Sequence, residues 1–251
     1  MTELDRHLAL AINGAIGASP SAFEVALLMA GAVPLVGCVT VMLFLWWTDL
    51  EGHAGQRMPV LGEGPAPDRP GLRLSRRRCV SLATCTAAAF VCTRLIAFGT
   101  EWPRPLARES LVVPIDATRW NHLVDGMTGF GAFPSDHAAL FFALAVGLFA
   151  WRLSWGLIGL GSAGVLSMLR VGLGFHYPSD MVAGALIGAF FGMIATRLAR
   201  RPGLFDGVVA AFDRHPAILY PLLFVVALDF TQHFRLVFKS VFFVVLTFLG
   251  H

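Results

Sequence analysis

The stretch SWGLIGLGSAGVLSMLRVGLGFHYPSDMVAGALIGAFFGMIAT, residues 154–196, decides the fold. Two uncharged apolar runs flank a short segment that holds all its charge: Arg170, His176 and Asp180. A membrane crossing needs about 20 predominantly apolar residues, and crossings at about 154–172 and 178–196 satisfy that length. Gly172 and Gly174 allow a tight turn between them, and Pro178 restarts the chain as a helix. Ionisable groups beside hydrocarbon are costly and mark a functional site. His176 and Asp180 are four apart, so a helical turn brings carboxylate to imidazole. A carboxylate on one ring nitrogen fixes the tautomer and leaves the other nitrogen to attack. The plainer alternative is a histidine satisfied at a helix cap.

The rest of the chain repeats this pattern. Of 251 residues, 56% are hydrophobic and 14% charged, with a mean hydropathy of +0.69. Soluble domains carry about 25% charge, so the composition is that of a membrane protein. Further crossings are expected at 25–47, 79–99, 135–151 and 216–234, about six in all. Residues 3–17 place Leu4, Leu8, Ala11, Ile12 and Ala15 at helical spacing and are too short to cross. They read as an amphipathic helix in the membrane interface, within 1–20. The expected architecture is all-α: a polytopic membrane helical bundle, one integral-membrane domain over 1–251. Residues 50–78 read as a cytoplasmic loop and 100–134 as an extracytoplasmic loop. The tail 236–251 carries Lys239 and is left unassigned.

Arginine supplies nearly all the positive charge. Arg76-Arg77-Arg78 abuts a crossing, where the positive-inside bias counts most, so that side is expected to be cytoplasmic. The 100–134 loop and the 173–178 turn then face outward together. The net charge of +3 and the absence of a basic stretch interleaved with aromatics exclude nucleic acid as a partner. Cys38, Cys79, Cys85 and Cys92 lie in apolar runs without metal-ligand spacing, and the N-terminus lacks the basic start of a signal peptide.

Two more motifs face outward. Pro134-Ser135-Asp136-His137 sits where a polar loop becomes an apolar helix. Ser135 reads equally as an N-cap or as part of an anion site, because backbone N–H groups at Asp136 and His137 point at whatever lies there. Arg104-Pro105 adds a guanidinium, whose fork matches phosphate oxygens. An arginine beside each histidine disfavours a cation, so no metal and no cofactor are expected.

Together, Arg104-Pro105, Pro134-Ser135-Asp136-His137 and Arg170-x5-His176-x3-Asp180 resemble the signature of the type-2 phosphatidic acid phosphatase family, the integral-membrane lipid phosphate phosphatases. That signature reads Lys-x6-Arg-Pro, Pro-Ser-Gly-His and Ser-Arg-x5-His-x3-Asp, and the match covers about 79–196. Three positions depart from it. Ala97 stands at the lysine, with Arg94 one turn earlier as the candidate substitute. Leu169 stands at the serine before Arg170, and Asp136 at the glycine. The Pro-Ser-Asp-His form and the amphipathic start are similar to the family's bacterial undecaprenyl-diphosphate phosphatases.

The resemblance implies roles. His176 attacks phosphorus to form a phosphohistidine, oriented by Asp180. His137 protonates the departing oxygen and then activates water. Arg104, Arg170 and Ser135, with the backbone of Asp136 and His137, hold the phosphoryl group. It implies metal-independent hydrolysis of a lipid phosphate or diphosphate, undecaprenyl diphosphate favoured, at the outer face of a bacterial inner membrane. Phosphatidate or phosphatidylglycerol phosphate as substrate, a lipid phosphotransferase, and a non-catalytic scaffold or transporter are the competing readings.

Overall fold

A proline splits the first crossing that the sequence suggests. Pro34 has no N–H to offer the carbonyl of Ala30, one turn back, and Gly31 sits at the break. The run 25–47 is therefore two helices rather than one. The computed structural model describes residues 2–48, 70–100, 102–111 and 131–231. The tail 236–251, all of the 50–69 segment and most of the 100–134 loop lie outside these. The described chain is helical: α1 Glu3–Gly17, α2 Pro20–Ala30, α3 Val33–Trp47, α4 Pro70–Phe98, α5 Pro105–Arg108, α6 Asp136–Leu148, α7 Leu153–Gly172, α8 Pro178–Ala199, α9 Asp206–Arg214 and α10 Pro216–Thr231.

Three helices are long and apolar enough to cross a membrane by themselves: α4, α7 and α8. Counting the bent pairs α1–α2 (115°) and α9–α10 (114°) as one span each gives up to five. The expected six crossings are therefore not what the described helices give by length and composition, and α3 and α6 are shorter apolar helices. The boundary at 78 also moves. Residues 70–78, expected in a loop, form the first turns of α4, with Pro70 at a position that suits its fixed φ. Ion pairs hold this end: Arg76 to Asp213 at 2.6 Å and Arg77 to Asp206 at 3.2 Å. The Arg76 guanidinium also lies over Trp46 and Trp47, 5.3 Å from each ring.

Helix α6 is the centre of the bundle, packed on α4, α7 and above all α8. The α8 face that meets it carries Gly184, Gly188 and Gly192. A Cβ on these would meet the carbonyls of Ser135, Ala139 and Ala143 in turn. Both helices thus present every fourth residue, and the glycines let the backbones close. The small-residue ladder packs within the chain.

Helix α1 is amphipathic, and it is the polar face that packs on the protein. Its buried stripe is Asp5, Ala9 and Asn13, whereas Leu4 and Leu8 are 66% and 43% exposed. In a membrane chain the apolar stripe faces outward and the polar one seeks partners inside. Asn13 donates its amide to the carbonyl of Gly172 at 2.7 Å, satisfying a carbonyl that the end of α7 leaves open. Asp5 accepts from Ser179 N–H at 3.0 Å and from its hydroxyl at 2.6 Å. Helix α1 therefore clamps the turn between α7 and α8.

Candidate active site

That turn is built by a specific helix ending. Gly174 has φ +76°, the left-handed region that glycine enters freely. Its N–H bonds the Val171 carbonyl at 2.9 Å, and the Phe175 N–H bonds the Arg170 carbonyl at 3.1 Å. This is the Schellman pattern, and it throws His176 across the end of the bundle. Helix α8 then starts with Asp180 accepting the Tyr177 N–H at 2.8 Å, a capping arrangement at the third helical residue.

His176 is buried, and its Nδ1 lies 2.9 Å from the Ala132 carbonyl. A carbonyl only accepts, so Nδ1 carries the proton. The nearest Asp180 oxygen is 3.6 Å from the same nitrogen. Asp180 was expected to orient the ring directly. Instead the Ala132 carbonyl makes the hydrogen bond, while Asp180 holds the turn through Tyr177 and adds negative charge nearby. Burial, Arg104 and Arg170 together hold the imidazole well below its ordinary value of 6.5. The neutral ring therefore presents an Nε2 lone pair. Arg104 Nη1, a donor only, lies 3.4 Å from that nitrogen and donates to the Phe175 carbonyl at 2.9 Å. The Arg104 segment is anchored by the Leu106 N–H on the Gly174 carbonyl at 2.9 Å.

Arg170 is fully buried at the end of α7. Its Nη1 donates at 2.7 Å to the Ala30 carbonyl, the group that Pro34 leaves without a helical partner. Its Nε and Nη2 have no partner among the described residues. A buried guanidinium with two unmatched nitrogens, three N–H donors between them, suits an anion with several oxygens.

The Pro134–His137 motif comes in from α6. Ser135 is its N-cap, accepting the Ala138 N–H at 3.3 Å, and its own N–H bonds the Asp180 carbonyl at 3.0 Å. His137 Nδ1 lies 2.7 Å from Asp136 Oδ1, and the same oxygen accepts the His137 backbone N–H at 2.7 Å. The expectation that this N–H faces a ligand is therefore not met, because the Asp136 side chain takes it. The other Asp136 oxygen pairs with Arg94 Nη2 at 2.6 Å. Arg94 thus reaches the site from the far end of α4.

Sequence reasoning brought the two histidines, Arg94, Arg104, Arg170, Ser135 and Asp180 to one end of the bundle, where the structure places them. It missed the Ala132 carbonyl, which carries no side-chain signal. It also missed the Asp136 carboxylate, whose signal was the coincidence of a lost lysine at Ala97 with a gained acid one motif later. Glu109 is tied into the turn. It accepts from Tyr177 Oη at 3.1 Å and pairs with Arg6 at 2.7 Å.

Comparison with known proteins gives the family. The PAP2 superfamily profile matches residues 78–203. The lipid A 1-phosphatase of Rhizobium etli is 26% identical over 181 residues, 66% of this chain and 66% of the relative. The lipid A 4'-phosphatase of Bacteroides thetaiotaomicron is 42% identical over 83 residues, 32% of this chain and 37% of the relative. YbjG of Escherichia coli K12, provisionally named an undecaprenyl-diphosphatase, is 40% identical over 58 residues, 23% of this chain and 29% of the relative. The chain thus spans from under a third to about two thirds of the length of these curated relatives. No solved structure matches. The profile covers half the chain and contains two imidazoles and an arginine-rich end that the bundle gathers, so this chain belongs to the PAP2 superfamily.

Proposed function

We propose that the chain hydrolyses a lipid-borne phosphate or diphosphate through a phosphohistidine on His176. The observation that carries this reading is the placement of His176: Nδ1 is fixed on the Ala132 carbonyl at 2.9 Å, which leaves Nε2, 3.4 Å from Arg104 Nη1, as the nitrogen free to attack. In the first step Nε2 forms a bond to the terminal phosphorus while the bond from that phosphorus to the leaving oxygen breaks, the bridging oxygen in a diphosphate or the lipid oxygen in a monophosphate. His137 gives that oxygen its Nε2 proton. In the second step water loses a proton to His137 and attacks phosphorus, the N–P bond breaks, and phosphate leaves. Arg104 and Arg170 neutralise the equatorial oxygens, and Ser135 retains a hydroxyl hydrogen for one of them. Asp180 stabilises the positive charge that the phosphorylated ring of His176 acquires.

The lipid substrate we favour is undecaprenyl diphosphate, converted to the monophosphate and phosphate, on the strength of the Pro-Ser-Asp-His form. The long match to a lipid A 1-phosphatase supports a second reading, a lipid A phosphate as substrate. In this reading the site lies at the outer face of a bacterial inner membrane. Arg78 and Arg94 are separated by about 24 Å along α4, near the hydrocarbon thickness, so the basic cluster and the site take opposite faces.

Phosphate release by purified protein, over undecaprenyl diphosphate, lipid A and phosphatidate with a chelator present, tests this. Release from at least one lipid is expected, with undecaprenyl diphosphate fastest. Release only after a metal is restored, or from none of them, contradicts it. A second expectation follows from the His176 environment. At pH 6.5, where an ordinary histidine is half protonated, His176 stays neutral. ¹⁵N NMR of histidine-labelled protein, assigned by the signal lost in His176→Asn, checks this. A ring already half protonated at that pH contradicts it.

A further inference from the structure

The two departures at Ala97 and Asp136 are a single arrangement in the structure. Arg94, one turn before Ala97 on α4, meets the carboxylate that Asp136 adds at the start of α6, at 2.6 Å. Asp136 spends its other oxygen on His137, at 2.7 Å to Nδ1 and 2.7 Å to the backbone N–H. The three side chains form a relay from guanidinium to carboxylate to imidazole. All lie at the end of the bundle that holds His176.

We propose that Asp136 is a positioning residue for proton transfer by His137, a deepening that rests on the phosphatase reading above. A carboxylate only accepts, so Nδ1 of His137 keeps its proton in both charge states of the ring, and Nε2 alone exchanges one. When the bond from phosphorus to the leaving oxygen breaks, the Nε2 proton passes to that oxygen and the ring becomes the neutral Nδ1–H form. Its Nε2 lone pair then takes the proton of the attacking water, and the imidazolium is restored beside Asp136. Arg94 fixes the carboxylate so that the ring cannot rotate to offer the wrong nitrogen. A glycine at 136 leaves that orientation to other contacts.

The role predicts a dependence on the leaving group that a structural role does not. An alkyl alkoxide needs a proton to depart, whereas p-nitrophenolate departs without one. Steady-state kcat/KM of detergent-solubilised protein is measured on dodecyl phosphate and on p-nitrophenyl phosphate. It reports steps up to cleavage of the ester bond only. Asp136→Asn and Asp136→Gly are expected to lose about 10²-fold on dodecyl phosphate, and at least about tenfold less than that on p-nitrophenyl phosphate. Arg94→Lys, which keeps a cation for Asp136, loses less on dodecyl phosphate than Arg94→Met. Equal losses on both esters in variants with an unchanged thermal midpoint overturn the proposal and make Asp136 structural. Tighter binding of inorganic phosphate together with faster turnover in Asp136→Asn also overturns it, because the carboxylate would then be competing with the substrate. A wild-type protein that cleaves neither ester and releases phosphate from none of undecaprenyl diphosphate, lipid A and phosphatidate sinks the phosphatase reading itself, a result distinct from both.

Discussion

His176→Asn abolishes phosphate release, by about 10³-fold or more, while the protein keeps its fold. Asparagine is the informative replacement because its amide stands roughly where Nδ1 stands and still donates to the Ala132 carbonyl. The buried acceptor stays satisfied, so the variant avoids the cost of about 1–3 kcal/mol that an unpaired buried group brings. What it lacks is the Nε2 lone pair. His176→Ala removes both and should lose stability as well as activity. Comparing thermal midpoint and turnover in the two variants separates the structural use of the ring from the chemical one. Near wild-type activity in His176→Asn would remove His176 from the chemistry.

Gly188→Leu is expected to have the largest effect on the fold. A Cβ at 188 runs into the Ala139 backbone, which cannot give way as the end of a flexible side chain can. Overpacking of this kind costs about 1–3 kcal/mol or more. The cost falls on the contact between α6 and α8, which carry His137 and the Asp180 end of the His176 turn. Stability and turnover should therefore fall together. Gly164 on α7 is the control, since a Cβ there meets nothing within 4 Å, and Gly164→Ala should be neutral or slightly stabilising. Thermal unfolding in detergent with parallel activity checks both. A Gly188→Leu protein as stable as wild type would mean that α6 and α8 do not meet along this ladder.

The sequence made the His176 turn legible because its residues have few alternatives. Gly174 takes a φ that other residues avoid, Pro178 can only begin a helix there, and Arg170 sits one Schellman turn before Gly174. The first crossing was not legible in the same way. A hydropathy run reads Pro34 as one apolar residue among many, whereas its missing N–H ends α2 and frees the Ala30 carbonyl for Arg170. Helix α1 was half legible: helical spacing marks its outward apolar stripe, whereas the inward contacts of Asp5 and Asn13 leave no pattern in the sequence. The Ala132 carbonyl was beyond reach, because every residue carries that group and only the fold selects one.

Asp136 lies between these cases. Its backbone was read as an anion site because a helix begins there, and the side chain filled that role first. The carboxylate and Arg94 neutralise each other at the helix start, so the phosphate-holding task falls more heavily on Arg104 and Arg170. Arg170 has Nε and Nη2 unmatched among the described residues, and the buried neutral ring of His176 stands in the field of both arginines.

The most direct test is to trap the covalent intermediate. Protein turning over a lipid phosphate with a labelled terminal phosphoryl group is quenched with strong base, digested and mapped by mass spectrometry. The account predicts label on the peptide that contains His176, stable to base and released by acid, and absent from His176→Asn. Continued phosphate release with label on another residue, or with no covalent label under conditions that preserve phosphohistidine, would contradict it.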